Sequence, residues 1–97
     1  MRVRAALYLD FDNIFGGLIA LDPESALAVA QAPLEWLERL SVRHTLDGPR
    51  SWLVRRCYMN PAGWVADPRS STGERLYFSK YRPYFTRAGF EVIIIDV

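Results

Sequence analysis

Three apolar runs separated by amphipathic segments set the expected order of strands and helices. The first, residues 3–9, is continuous and ends in acidic residues, which is typical of a buried strand. The second, residues 52–59, is interrupted by Arg55 and Arg56, which indicates that one of its sides meets solvent or polar contacts. The third, residues 90–95, is almost unbroken and predicts a strand buried on both faces.

Helical spacing fills the interval between the first two runs. We expect Asp12 or Asn13 to cap a helix that follows the first strand. Asp22 predicts the N-cap of a second helix, with Pro23 at the first helical position, where its missing N–H is not needed. Pro33 restarts the helical pattern for a third segment.

Turn and cap residues organise the second half of the chain. Residues 47–49, Asp-Gly-Pro, predict a turn before the second strand. Residues 62–73 are rich in Pro, Gly and Ser and predict a surface loop at the same sheet end as Asp10. Ser79 is expected to cap a helix that ends at Gly89, which supplies a left-handed stop before the third strand.

The resulting order predicts one α/β domain over residues 1–97, with a parallel three-stranded sheet flanked by helices in a Rossmann-like arrangement. A doubly wound sheet usually has more strands than this, so we expect a truncated domain. One side of the first strand is then open. A homo-oligomer or a partner chain is the expected cover for that sheet edge.

The composition agrees with a single domain. The chain has 97 residues, 51% of them hydrophobic, and a formal net charge of +1. It has no apolar stretch of the roughly 18 residues expected of a membrane span and no signal-peptide core, so we expect a cytoplasmic protein without a membrane partner. Cys57 is the only cysteine, which excludes an internal disulfide and a Cys-based zinc cluster, and it is expected in the core.

The balanced charge conceals an asymmetry between the two halves. Residues 1–48 carry four Arg against seven acids, whereas residues 49–97 carry seven Arg and one Lys against four acids. The planar fork of Arg suits phosphate recognition, so the second half is the candidate for nucleic-acid contacts. An ordinary solvated surface explains the same dispersed charges and stays open as the alternative.

The candidate chemistry lies at the end of the first run. Asp10, Asp12 and Asn13 follow the predicted strand, at the sheet end where α/β proteins place ligands. Mg²⁺ or Mn²⁺ binds through one or two carboxylates, water and substrate phosphate, so Asp10 and Asp12 are candidate metal ligands, and Asn13 can orient a water or a phosphate. The alternative is structural: Asp12 or Asn13 caps the helix, and Asp10 accepts loop N–H groups.

Residues 7–12, Leu-Tyr-Leu-Asp-Phe-Asp, resemble the opening motif of haloacid dehalogenase-like phosphatases. That resemblance implies Asp10 as a nucleophile that forms an aspartyl-phosphate and Asp12 as a general acid. The sequence departs from the family directly afterwards, because Asn13-Ile14 stands where a small pair such as Gly-Thr is usual.

Three segments resemble the NYN family of PIN-like ribonucleases over most of the chain. They are residues 10–15, Asp-Phe-Asp-Asn-Ile-Phe; residues 56–61, Arg-Cys-Tyr-Met-Asn-Pro; and residues 85–90, Phe-Thr-Arg-Ala-Gly-Phe. The resemblance implies a metal-dependent ribonuclease with Asp10 as a direct ligand of Mg²⁺ or Mn²⁺, Asp12 as a direct or water-mediated ligand, and Asn13 as a positioning group. The catalytic residues it implies are thus Asp10, Asp12 and Asn13.

The sequence departs from this family near its end. Family members carry further acids in a Gly-Lys…Asp region and a following strand, and here only Asp96 is available as a peripheral substitute. We therefore expect the chain alone to be inactive. A non-catalytic RNA-binding or assembly module stays open beside the nuclease and phosphatase classes.

Single-stranded RNA is the partner that the NYN resemblance implies. The candidate contacts are cations for phosphate and aromatic rings for base stacking. They are Arg55, Arg56, Arg75, Lys80, Arg82 and Arg87 for phosphate, and Trp64, Tyr77 and Tyr81 for bases. Packing in the core is the alternative for Tyr81, and packing against its own loop is the alternative for Trp64.

Overall fold

A computed structural model describes residues 3–42 and 50–95 of the chain. The predicted turn at residues 47–49 and the candidate acid Asp96 lie outside the described residues.

The described elements follow the expected order with one addition. The strands are β1 (Val3–Asp10), β2 (Arg50–Met59), β3 (Trp64–Ala66), β4 (Arg75–Tyr77) and β5 (Glu91–Ile94). The α-helices are α1 (Phe11–Leu21), α2 (Pro23–Gln31), α3 (Pro33–Val42) and α4 (Arg82–Arg87), and a 3₁₀ turn, Phe78–Tyr81, precedes α4. The addition is the β3–β4 hairpin.

The main sheet is parallel and has the strand order β1-β2-β5. The predicted α/β fold with a three-stranded parallel sheet is therefore confirmed. The register aligns Asp10 with Tyr58 and Tyr58 with Ile93, so the carboxyl ends of the three strands lie at one edge. A register shift between Ala5 and Ala6 is the one irregularity in the pairing of β1 with β2.

The helices cover one face of this sheet. The strands succeed one another in one direction across it, so right-handed crossovers place every intervening helix on the same side. Burial agrees: Leu9, Cys57 and Met59 are buried, whereas Tyr8 on the opposite face is 56% exposed. On that open face Arg56 Nε lies 3.3 Å from Glu91 Oε2.

The prediction that the third strand is buried on both faces is wrong. In β5 Val92 and Ile93 are half-buried, and Ile94 is 37% exposed. The unbroken apolar run predicted that other elements would pack on both faces of this strand. The described helices, however, all lie on one side of the sheet.

An aromatic cluster joins α1 to the segment before β5. Phe11, at the start of α1, packs its ring within 5.1–5.9 Å of the rings of Phe15, Phe78, Tyr81 and Phe85, measured between centroids. All five side chains are buried. Burial of such rings contributes about 1.5–3 kcal/mol each, so this cluster fixes α1 over the sheet.

Two cap predictions have opposite outcomes. Asp22 is the N-cap of α2: its carboxylate accepts the Ser25 N–H at 3.3 Å and the Ser25 hydroxyl at 2.7 Å, with Pro23 in the first turn. The predicted Ser79 cap is wrong, because residue 79 lies inside the 3₁₀ turn, which has no side-chain cap, as α4 has none.

The segment predicted as a surface loop, residues 62–73, contains β3 and leads into β4. Val65 pairs with Leu76, and both face the core, where Leu76 is buried. The alternation of apolar and polar residues is too short to stand out from the surrounding Pro, Gly and Ser, and the hairpin is stabilised by tertiary packing instead.

Gly89 stops α4 as predicted, with φ at +84°.

Across residues 3–42 and 50–95, no helix is long and apolar enough to cross a membrane.

Gly17→Ala and Gly63→Ala make the same chemical change in opposite surroundings. At Gly17, inside α1, an added Cβ meets no atom within 4 Å. Because Ala favours helix, we expect the free energy of unfolding to rise by about 0.5–1 kcal/mol. At Gly63 the added Cβ would clash with the buried Phe78 ring, so we expect the free energy of unfolding to fall by about 1–3 kcal/mol. Urea unfolding followed by circular dichroism measures both, and a stabilised Gly63→Ala variant would contradict the packing.

Candidate functional site

The acidic residues lie where β1 and β2 end side by side. Asp10 is the last residue of β1, Asp12 is in the first turn of α1, and Asn60 directly follows β2. The parallel register, with Asp10 beside Tyr58, brings Asn60 to the start of α1. The sheet therefore assembles a polar cluster from residues that are far apart in sequence.

Asp10 is the N-cap of α1. One carboxylate oxygen, Oδ1, accepts the Asn13 backbone N–H at 3.4 Å, and Oδ2 accepts the Asn13 side-chain amide at 2.6 Å. The prediction that Asp12 or Asn13 caps this helix is wrong, because the helix begins at Phe11, whose ring enters the aromatic cluster. Asn13 instead fixes the rotamer of the Asp10 carboxylate.

Asp12 is held from the other strand. Its two carboxylate oxygens accept the Asn60 backbone N–H at 3.2 and 3.3 Å. Partial burial raises the pKa of Asp12 above its ordinary value, the Asn60 bond opposes this, and the neighbouring charge of Asp10 adds to it. A half-buried carboxylate, Asp12, beside an exposed one, Asp10, is an environment that a cation would stabilise.

Cys57 lies in the core beneath these carboxylates. It is completely buried, and burial, followed by the charges of Asp12 and Asp10, raises the pKa of its thiol to about 12. The expectation that it packs as a small hydrophobe is confirmed, and its thiol stays protonated at neutral pH.

The donors present fit a water-rich divalent-metal site. Asp10 and Asp12 supply two carboxylates, and Mg²⁺ commonly binds through that number, with water and substrate phosphate completing its coordination. Within the part of the chain that the structure describes, no group of three or more His, Cys, Asp or Glu side chains is placed to hold a metal ion. A cage made entirely of protein ligands is therefore not present among these residues.

The candidate phosphate contacts on β2 are engaged with the protein. Arg55 is half-buried, and its Nη1 donates to the Ala88 carbonyl oxygen at 2.9 Å, at the end of α4. Arg56, on the open face, donates through Nε to Glu91. Further along the chain, Lys80 in the 3₁₀ turn and Arg82 at the start of α4 are exposed. The structure thus separates a structural arginine from cations that face solvent.

The outer face of the hairpin combines two aromatic rings with a cation. Trp64 pairs with Tyr77 across β3 and β4, and each is 45% exposed. The guanidinium carbon of Arg75 lies 4.0 Å from the centroid of the Trp64 ring, and its Nη1 lies 3.5 Å from the Tyr77 hydroxyl. Tyr81, by contrast, is completely buried, so the prediction that it stacks on bases is wrong.

Two structural residues were missed by the sequence analysis. Asn60 holds Asp12 through its backbone and accepts the Ala62 N–H through its side chain at 3.1 Å. Asp67 is 8% exposed and receives both the backbone N–H and the guanidinium of Arg69. The Asn-Pro and Asp-Pro pairs are turn signals that mark both positions.

An apolar groove of about 390 Å³ lies between β1 and the helices, apart from the carboxylates. Its lining is Leu9, Ile14, Val29, Trp36, Arg39 and Leu40. With a single charged residue among six, this groove does not suit a phosphate group.

Comparison with known proteins finds no match: no protein-family model, no curated protein and no solved structure matches the chain.

Asp12→Asn tests the electrostatics of the cluster. Because the pKa of Asp12 is raised on folding, the folded protein binds this proton more tightly than the unfolded chain does. Wild-type stability therefore falls as pH rises from the ordinary Asp value of 3.8 through the folded pKa. We expect the stability of Asp12→Asn relative to wild type to rise across that window and to level off above it. Urea titrations at a series of pH values in metal-free buffer measure this difference.

Asp22→Asn is the matched control, with the opposite sign. The Ser25 hydroxyl and N–H lower the pKa of Asp22, so the wild type gains stability as pH rises from the folded pKa to 3.8 and loses it in the reverse direction. The free energy of unfolding of Asp22→Asn should therefore fall further below that of the wild type as pH rises through this range. The same direction of change in both variants would contradict the two environments.

Proposed function

We propose that this chain forms the metal-binding end of a NYN-type, PIN-like ribonuclease that acts on single-stranded RNA in the cytoplasm. The observation that supports this most is the pairing of Asp10 and Asp12 at the carboxyl end of β1, with Asp12 fixed by the backbone of Asn60 at the end of β2. Hydrolysis of a phosphodiester needs oxygen ligands that a hard cation can share with a phosphate, and the two carboxylates at this edge of the sheet support the proposal because they are ligands of that kind.

Each residue of the cluster has a role in this proposal. When bound, Mg²⁺ or Mn²⁺ supplies an activated water and neutralises phosphoryl charge. Asp10 binds the cation directly, and the amide of Asn13, 2.6 Å from Oδ2, orients that carboxylate. Asp12 binds the cation directly or through water, and the Asn60 N–H holds it in place. With two carboxylates, the chain alone is expected to show little or no cleavage.

Asp10→Asn tests the metal site without removing the helix cap, since Asn is also a favoured N-cap. Mn²⁺ broadens NMR signals of nearby nuclei, so we expect the amides of Phe11, Asn13 and Asn60 to broaden in the wild type and to stay sharp in the variant. Any Mn²⁺-dependent cleavage of single-stranded RNA should be lost as well. Asp22→Asn is the control, because it replaces a carboxylate cap at the start of α2 and should leave both measurements unchanged.

Two results, one from this experiment and one from a phosphatase assay, would overturn the proposal. Retained Mn²⁺ broadening or cleavage in a folded Asp10→Asn variant would remove Asp10 from the metal site. An acyl-phosphate trapped on Asp10 during turnover of a small phosphomonoester would instead support the haloacid dehalogenase-like alternative.

A non-catalytic RNA-binding module is the second candidate. Its support is the exposed pair of Trp64 and Tyr77, with Arg75 against the Trp64 ring, on the outer face of the hairpin. Aromatic rings and cations on one exposed ribbon are the elements with which proteins bind single strands without reading their sequence. In this case RNA binding is retained in Asp10→Asn.

Trp64→Ala and Arg82→Gln distinguish base stacking from phosphate contact. A stacked base is worth about 1–3 kcal/mol, so we expect Trp64→Ala to weaken binding of a labelled single-stranded RNA by roughly 5- to 150-fold without changing its salt dependence. Arg82→Gln, which removes an exposed cation, should weaken binding less and lower the salt slope by about 1. Fluorescence anisotropy at several salt concentrations measures both, and unchanged binding in Trp64→Ala would exclude the hairpin as a stacking surface.

We also propose that the outer edge of β1 is covered by a homo-oligomer contact or by a partner chain. Among the described strands, β1 pairs only with β2, so the N–H and C=O groups along its other side have no strand partner within residues 3–42 and 50–95. Open edges of this kind favour pairing with another strand.

A further inference from the structure

The outer edge of β1 has a self-complementary sequence. Burial alternates strictly from residue 4 to residue 10: Arg4, Ala6 and Tyr8 are exposed on the open face of the sheet. Asp10, at the end of the strand, is also exposed, and its carboxylate accepts hydrogen bonds from Asn13 of α1. Leu7 faces the helices and is half-buried. The strand contains no proline and no charge directed toward the helices, so it lacks two of the usual features that prevent edges from pairing.

A second copy of β1 fits this edge in one antiparallel register. A two-fold axis through Leu7 places Arg4 opposite the partner's Asp10, and the symmetry repeats the same pair at the other end of the strand. Directly opposed residues in antiparallel strands have Cβ atoms about 4.5–5.5 Å apart, so opposite charges there stabilise the pairing and like charges weaken it.

The positions between these charges are complementary in size. The same axis sets Ala6 opposite the partner's Tyr8 on the open face, so each large ring lies over a small side chain. On the helix side Ala5 faces the partner's Leu9, and Leu7 meets its own copy. Between Ala5 and Leu9, every large side chain except Leu7 is therefore opposed by an alanine.

From this pattern we infer that two copies of the chain associate through antiparallel pairing of β1 with β1, with Leu7 on the two-fold axis. The two three-stranded sheets then form one continuous six-stranded sheet, since each contributes the strand order β1-β2-β5. The inference rests on the proposal that the β1 edge is covered and needs neither the metal nor RNA. The other edge of the sheet is less suited, because β5 has four residues against eight in β1.

Charge exchange tests this register. Arg4→Asp places two carboxylates opposite each other at both ends of the pair, and Asp10→Lys does the same with two cations, so each variant alone should be monomeric. When the two variants are mixed, every opposed pair joins a cation and an anion again, and a heterodimer should form. Sedimentation velocity in metal-free buffer, over roughly 10–200 µM, should give twice the 11.1 kDa chain mass for the wild type and the mixture.

Controls separate this inference from simple loss of folding and from the proposed nuclease. Circular dichroism establishes that each variant is folded, and Arg39→Asp, which makes the same charge change on an exposed position of α3, should dimerise as the wild type does. Arg4→Asp retains both candidate metal ligands, so Mn²⁺ broadening should persist in it. A failure of the nuclease proposal would therefore leave the dimer measurements unaffected.

Three results would overturn the inference. They are a wild-type chain that is monomeric throughout this concentration range, a folded Arg4→Asp variant that dimerises as tightly as the wild type, and a mixture of the two folded variants that does not associate.

Discussion

The parallel pairing of β1 with β2 is the constraint on which the candidate site depends. It brings the end of one strand beside the end of another that begins 40 residues after β1 ends, from Asp10 to Arg50. Asp12 reaches the Asn60 N–H only because these two ends are adjacent. A slip of one residue in the register would turn Leu9 out of the core and move Asp12 away from the Asn60 N–H. The same pairing therefore maintains both the core and the acidic cluster.

The aromatic cluster explains why α1 begins where it does. Phe11 directly follows Asp10, and its ring packs against the rings of Phe78 and Phe85, which lie far away in the sequence. Packing thus starts the helix immediately after the strand and makes Asp10 its cap. A residue that a ligand would use is also a residue that the fold uses, and for this reason Asn is a better replacement for Asp10 than Ala in any test of function.

The sequence indicated the order of the main elements, but it could not supply features that depend on tertiary contacts. The apolar runs predicted the parallel sheet, and Asp22-Pro23 predicted the start of α2, because hydrophobic periodicity and capping are local properties. The cap of α1 was assigned two or three residues too late, since what fixes it is the burial of Phe11. The β3–β4 hairpin was missed because its stability comes from Leu76 and Val65 packing against distant residues. Arg55 was expected to contact phosphate, and its bond to Ala88 joins segments that no local pattern connects.

The topology of the main sheet also bears on how the chain reaches this structure. Leu9 pairs with Cys57, and Cys57 with Val92, so no pairing in the main sheet joins strands that a tight turn connects. The β3–β4 hairpin is the local strand pairing among the described residues. The chain loses the entropy of closing long loops before such distant contacts can stabilise it, which makes parallel sheets slow to form. During that interval the apolar β1 strand is exposed on both sides. Refolding at a higher protein concentration should therefore yield more aggregate and less folded protein.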